Sequence, residues 1–365
     1  VVCDDVALAF GHPYLQSGAS SMSVHSATAL LVQPDDAFGP FKVANPHGAV
    51  GVLDQDRLAG VRAHLGTEPP FTPVTSTVTS TDDGVSREGS THVTLDRALP
   101  DLALSHLLAN VDTVFDAIGP GTAELRWVVE GTRASGEPFT LDVENAYASQ
   151  HDIAYDATFD AQDQILSIQQ NEFEDVEITG VDYTATVSSA FEQYTVSSVE
   201  VRRPDGTYQQ PPSESSVPVP AGSTLDVRVT LAPYKNQGDA VTVELSADVP
   251  DDAAGSYGWV DIAGGSDSDG DDLHDDDTDD DQPDPSGNGA QEQSGADAED
   301  ESDGAADFEG LLDDLTGLVP NNSVSATMNI ETENETGFNV ERSTVREATD
   351  QVVTGSFSFS IDIVE

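Results

Sequence analysis

Apolar and polar residues alternate over several stretches of this chain, the period of a strand with one covered face. Val181, Tyr183, Ala185 and Val187 follow this pattern, as do Leu225, Val227, Val229 and Leu231, and then Val241, Val243 and Leu245. Turn clusters at Pro204–Gly206 and Pro220–Gly222 separate the runs. Short strands at this spacing predict a β-sandwich of immunoglobulin-like type over residues 173–263. Nearer the C-terminus Val324, Ala326, Met328 and Ile330 alternate, and so do Phe357, Phe359, Ile361 and Ile363. A helical period occurs at Asp101–Ile118, where Leu104, Leu107, Leu108, Val111, Phe115 and Ile118 share a face, with Gly119–Pro120 as the stop. A hairpin is expected from Glu124–Glu130 and Pro138–Glu144 around Ala134–Gly136, a second helix over Asp152–Gln170, and a short helix over Phe308–Leu318. Residues 1–75 are rich in Gly and Pro, and their short apolar runs Val6–Phe10, Thr28–Val32 and Ala49–Leu53 predict small strands joined by turns. Further strands are expected at Thr72–Ser80 and Gly89–Leu95.

The expected fold class is therefore mainly β with some α. Five segments are expected: a β-rich domain over 1–100, a helix–hairpin–helix connector over 101–172, the sandwich over 173–263, an insertion over 264–306, and a closing helix and strands over 307–365. The insertion is low in complexity, made of Asp, Gly and Ser, and too poor in apolar residues to build a core.

Charge changes the picture. The chain carries 68 acidic residues against 13 basic ones, a net charge of -55, and Lys42 and Lys235 are its two lysines. Ser266–Gly304 holds 17 of the acids, so the remainder is strongly acidic as well. The Debye length is about 8 Å at physiological ionic strength and about 3 Å in molar salt, so only molar salt screens such a surface. The composition implies a protein adapted to concentrated salt, and it argues against nucleic acid or anionic membrane as partners. Hydrophobic residues at 37% allow a core at this length. Cys3 is the single cysteine, which excludes an internal disulfide, and no apolar run is long enough to span a membrane. The chain opens inside an expected strand without an initiator Met, which implies residues upstream.

Three ordered stretches carry a likeness: Ala9–Pro13 (AFGHP), Phe38–Pro46 (FGPFKVANP) and Val50–Gly66 (VGVLDQDRLAGVRAHLG). Together they resemble the SpoIVB-type serine peptidase domain in its extended prokaryotic members. The resemblance implies a β-rich peptidase-like fold for the first domain and matches His12 to the family's general base. Asp56 could orient that ring, while its bland role is a turn carboxylate that accepts backbone N–H groups, with Arg57 paired to a neighbouring acid. The family's Gly-Met-Ser-Gly-Ser-Pro nucleophile segment is not found here. The one Met-Ser pair is Met22–Ser23, so Ser20, Ser21 and Ser23, expected in a loop after His12, are the substitute nucleophiles.

The acidic insertion offers a second chemistry. Asp267, Asp269, Asp271 and Asp275 are spaced like the oxygen ligands of an aspartate-rich calcium loop. Asp272 stands where such loops place Gly, and Thr278 where they place a bidentate Glu, so the competing expectation is a solvated acidic linker with no cofactor. Four of the eight histidines lie before residue 65, without the spacing of a zinc site. Two function classes follow. One is a binding or scaffold protein of the cell surface or exterior, with a protein or peptide partner, in which the peptidase-like domain lacks catalysis. The other is a serine endopeptidase or self-processing protein with His12 as base.

Overall fold

The computed structural model describes residues 1–10, 13–35, 39–268, 305–334 and 337–365. The architecture is mainly β. The described residues form four five-stranded sheets, one of them covered by helices.

The first sheet is antiparallel and has a single layer. It contains β1 (Val2–Cys3), β2 (Val6–Ala9), β3 (Gly18–Gln33), β4 (Phe41–Arg57) and β5 (Gly60–Leu65), in the order β1-β2-β5-β4-β3. The short strands expected here merge into two long ones. β5 pairs with β4 from Gly51 to Arg57, whereas β3 pairs with β4 as far as Gln33 and Phe41. The outer half of β3 and β4 therefore projects past the sheet as a two-stranded ribbon about 33 Å long at the usual rise per residue.

The second sheet contains β6 (Thr72–Ser80), β7 (Ser86–Val93), β8 (Gly121–Arg133), β9 (Pro138–Ser149) and β10 (Val176–Ser188), in the order β7-β6-β10-β8-β9. Its inner face carries Val74, Val78, Leu125, Trp127, Val129, Leu141, Val181 and Tyr183, all buried. Packed over that face are α1 (Leu99–Phe115), α2 (Ile153–Asp156) and α3 (Phe159–Gln169). The expected connector over 101–172 is thus part of one α/β layer pair that also holds β6, β7 and β10. The run Val181–Val187, expected to open the sandwich, lies at the centre of this sheet, parallel to β6 and antiparallel to β8. Alternation specifies a covered face but not which sheet supplies the cover.

The rest is a sandwich of two sheets around one core. One sheet holds β11 (Gln193–Arg202), β12 (Tyr208–Gln209), β14 (Thr224–Pro233) and β15 (Val241–Asp248), with β19 (Val352–Thr354) alongside β11; β13 (Val217–Pro220) belongs to the other, with β16 (Tyr257–Gly264), β17 (Ser323–Asn334), β18 (Gly337–Ala348) and β20 (Ser356–Val364). Val227, Val229, Leu231 and Leu245 from one face meet Val260, Ile262, Met328 and Ile361 from the other. Helix α4 (Gly265–Ser268) follows β16, and α5 (Phe308–Thr316) precedes β17. Although α5 lies between two strands of the sandwich, it packs on the other unit, where Phe308 joins the core of the second sheet.

Helix α1 differs from its expectation by a rotation. It ends at Asp116, which adopts a left-handed conformation (φ 53°), before the expected Gly-Pro stop. Its buried side is Ala103, His106, Leu107, Asn110, Val111 and Val114, while Ile118 is exposed. The inward turn of His106 and Asn110 follows from polar partners on the sheet. His106 Nε2 lies 2.9 Å from Ser76 Oγ, its Nδ1 lies 2.8 Å from Thr91 Oγ1, and Arg87 Nε donates to Asn110 Oδ1 at 2.6 Å. Gly89 makes room for them, since a Cβ there would sit 2.6 Å from the Asn110 amide. The second expected helix is broken into α2 and α3, with Asp152 capping α2 through the Tyr155 N–H.

Candidate functional site

The N-terminal sheet holds most of the residues to which the sequence points. His12 lies outside the described residues, as do Asp269, Asp271 and Asp275. Asp56 lies one residue before the end of β4 and is fully buried. It accepts the backbone N–H of Tyr14 at 2.8 Å, of Leu15 at 2.6 Å and of Ser17 at 3.4 Å. Burial on its own would raise the carboxyl's pKa, but the donors from Leu15, Tyr14, Ser17 and Gln16 outweigh it and hold the group below its ordinary value. Asp56 thereby anchors the segment 14–17. Among the described residues Arg57 has no acidic partner in an ion pair; its Nε donates to Gln55 Oε1 at 2.7 Å.

The three serines are in β3 rather than in a loop, because the strand begins at Gly18. Ser20 donates its hydroxyl to Leu53 O across the ladder, and Ser21 is exposed. Ser23 is different. Its Oγ lies 3.0 Å from His25 Nε2, and His25 Nδ1 lies 2.8 Å from the carbonyl oxygen of His47 on β4. A carbonyl can only accept, so Nδ1 carries the ring proton and Nε2 of the neutral imidazole accepts the Ser23 hydroxyl. The period of the strand aligns the two side chains, since residues two apart share a face. Hydroxyl, imidazole and a carbonyl that sets the tautomer are the parts of an activated nucleophile. The surroundings are open, however, with His25 exposed on the ribbon. Two clefts among the described residues lie elsewhere. One, of about 450 Å³, lies between Val241–Glu244 and Glu347–Asp350; the other, of about 240 Å³, lies between the two units and is lined in part by Tyr147, Ser188, Glu192 and Asp350.

A second hydroxyl–imidazole contact, Ser76 with His106, is sealed beneath α1. Desolvation, and then the Arg87 charge, push the His106 pKa down, so the ring stays neutral as part of the packing. Reading polar residues as outward hid this pair; the repeat of His106 and Asn110 one helical turn apart was the signal available. Asp267 is exposed and accepts the Gly355 N–H, joining α4 to the start of β20. Among the described residues no group of three or more His, Cys, Asp or Glu side chains could hold a metal ion. No described helix is long and apolar enough to cross a membrane.

The ribbon has a property that is visible in the sequence but is carried by no motif. Gly18–Gln33 contains no charged residue, and Phe41–Leu53 contains only Lys42. With 68 acids in 365 residues, a stretch of sixteen residues would carry about three. The neutral stretch is also the exposed one: Leu30, Leu31, Val32 and Phe41 stand in solvent, Leu31 at 52% and Phe41 at 50% of full exposure. The register puts Leu31 opposite Val43 and Gln33 opposite Phe41 on one face, with Ala29 opposite Ala44 and Val32 opposite Lys42 on the other.

Comparison with known proteins places nothing beside this arrangement: no family model, no curated protein and no solved structure matches the chain.

Proposed function

We propose that this chain is a non-catalytic binding module adapted to concentrated salt, and that the ribbon of β3 and β4 is its contact element. One observation carries the reading: in a chain of net charge -55, the element that projects furthest from its own sheet is free of acids and exposes apolar side chains on both faces. Exposed apolar patches bounded by polar surface mark interaction sites, and a two-stranded ribbon is marginally stable until something covers it. A surface this acidic needs concentrated salt to screen it, and the partner it suits is a protein or peptide at the cell surface or outside the cell.

Serine-type hydrolysis is the second reading, favoured by the contact between Ser23 and His25. It keeps the kinship with SpoIVB-type peptidases and gives the base to His25 or, by that resemblance, to His12. A fluorophosphonate probe and a set of peptide substrates, applied to the whole chain in about 3 M salt, separate the two. The binding reading expects neither labelling nor cleavage. Labelling at Ser23 that vanishes in His25→Ala would overturn it.

A further inference from the structure

We infer that the partner of the ribbon is a second copy of this chain, held in a two-fold contact of ribbon against ribbon. The inference rests on the binding reading above and names the occupant of the same surface.

Charge is the first argument. A two-fold contact sets a patch against itself, so an acidic patch meets its own charge. Along Gly18–Gln33 and Phe41–Leu53 two of these chains bring no acid together. The neutral ribbon is where two bodies of net charge -55 can touch. Backbone is the second argument. β3 is the edge strand of its sheet, and among the described residues neither β3 nor β4 pairs with another strand beyond Gly51. The Ser23 N–H donates to Thr94 Oγ1, but from Val24 onward the outer edge of β3 suits a strand added antiparallel, the arrangement a two-fold axis generates. The register of β3 against β4 shifts between Val24 and Ala27 and again before Leu31, so regular strand is offered only in short runs. The paired backbone is therefore short, and Leu30, Leu31, Val32 and Phe41 must supply the rest of the buried area. That makes the dimer smaller than a standard interface of about 20–30 residues a side, and its affinity moderate. A lipid surface fits less well, because the loop joining the two strands carries Asp35 and Asp36.

Sedimentation velocity on the whole chain in about 3 M salt, over a wide concentration range, tests this. The expected result is a monomer–dimer equilibrium that weakens as salt is lowered and repulsion between the acidic bodies returns. Leu31→Glu should raise the dimer dissociation constant by more than about tenfold, because it buries a carboxylate at the contact. Phe41→Ser should weaken it without adding charge, and Leu58→Glu, in the turn that follows β4, should leave it unchanged. Amide exchange along Val24–Ala29 should slow with concentration in the parent chain and not in Leu31→Glu, which also reports whether the ribbon stays folded in the variant. A chain that is monomeric throughout overturns the inference, as does a dimer indifferent to both ribbon variants. Ribbon-dependent flotation of a monomer with phosphatidylcholine vesicles would also overturn it and assign the surface to lipid. Each of these results is independent of the fluorophosphonate outcome, which alone decides between binding and hydrolysis.

Discussion

His106 bonds hydroxyls through both ring nitrogens while its own carbonyl accepts from Asn110. Its pKa in the folded chain is below the ordinary 6.5, so between those two values the unfolded chain binds more protons than the folded one. The stability this difference contributes is complete above pH 6.5 and is lost as pH falls through the folded value. Thermal unfolding measured from pH 8 downward should therefore show a loss that begins near pH 6.5 and is absent in His106→Gln. His106→Ala should cost about 2–4 kcal/mol, since it leaves a cavity and strands Ser76 and Thr91 without their partner. Gly89→Ala should cost about 1–3 kcal/mol by crowding Asn110. Asp56 follows the same sign at lower pH. Its folded pKa lies below 3.8, so its anchoring of Tyr14 and Leu15 is complete above that value and lost only in stronger acid. Exchange protection of those two amides should disappear in Asp56→Ala at neutral pH. Arginines are scarce in this chain, and Arg62 pairs with Asp54, Arg126 with Asp142 and Arg228 with Glu244. The hydroxyl–imidazole contacts were harder to read, because Ser23 and His25 meet only once the stretch is known to be a strand, and Ser76 meets His106 only across a sheet–helix packing.

Elements were more legible than their neighbours. Most strands, the hairpin of β8 and β9, and helices α1 and α5 follow from periods visible in the chain, because period reports a covered face. What period leaves open is the identity of the cover. β10 pairs with β6 across about a hundred residues, and nothing local distinguishes that sheet from the sandwich. In α1 Leu107 and Val111 face the core as expected, with Leu108 and Phe115 packed at its edge, while His106 and Asn110 turn inward beside them and Ile118 is exposed. α5 shows most plainly how packing overrides chain order. Phe308 is 1% exposed, meets Phe139 edge to face at 5.1 Å, and lies beneath the Arg133 guanidinium, which also bonds Glu174 and Glu309. Gln164 donates to Leu315 O and accepts from Trp127 Nε1, which ties the helix to α3 and β8. Phe308→Ala should cost about 3–5 kcal/mol, and denaturant unfolding together with faster amide exchange in α5 would register it.

For the whole molecule, the salt adaptation proposed from composition predicts that the unfolding temperature rises from about 0.15 M to about 3 M salt, as the screening length falls below the spacing of surface charges. A melting curve indifferent to salt would remove that proposal. The two units are joined by more than their linkers, since Asn321 donates its backbone N–H to Asn145 Oδ1 and its side-chain amide to Ala146 O. The path of the chain has a larger effect. It leaves the α/β unit after β10, builds much of the sandwich through β16, returns to the first unit as α5, and goes back to the sandwich for β17–β20. A protease that nicks the backbone between β16 and α5 would produce a short C-terminal fragment that owns Phe308 in one core and Met328 and Ile361 in the other. The two fragments should co-purify under native conditions and part only in denaturant, so damage at that point would be invisible to any assay that does not first unfold the protein.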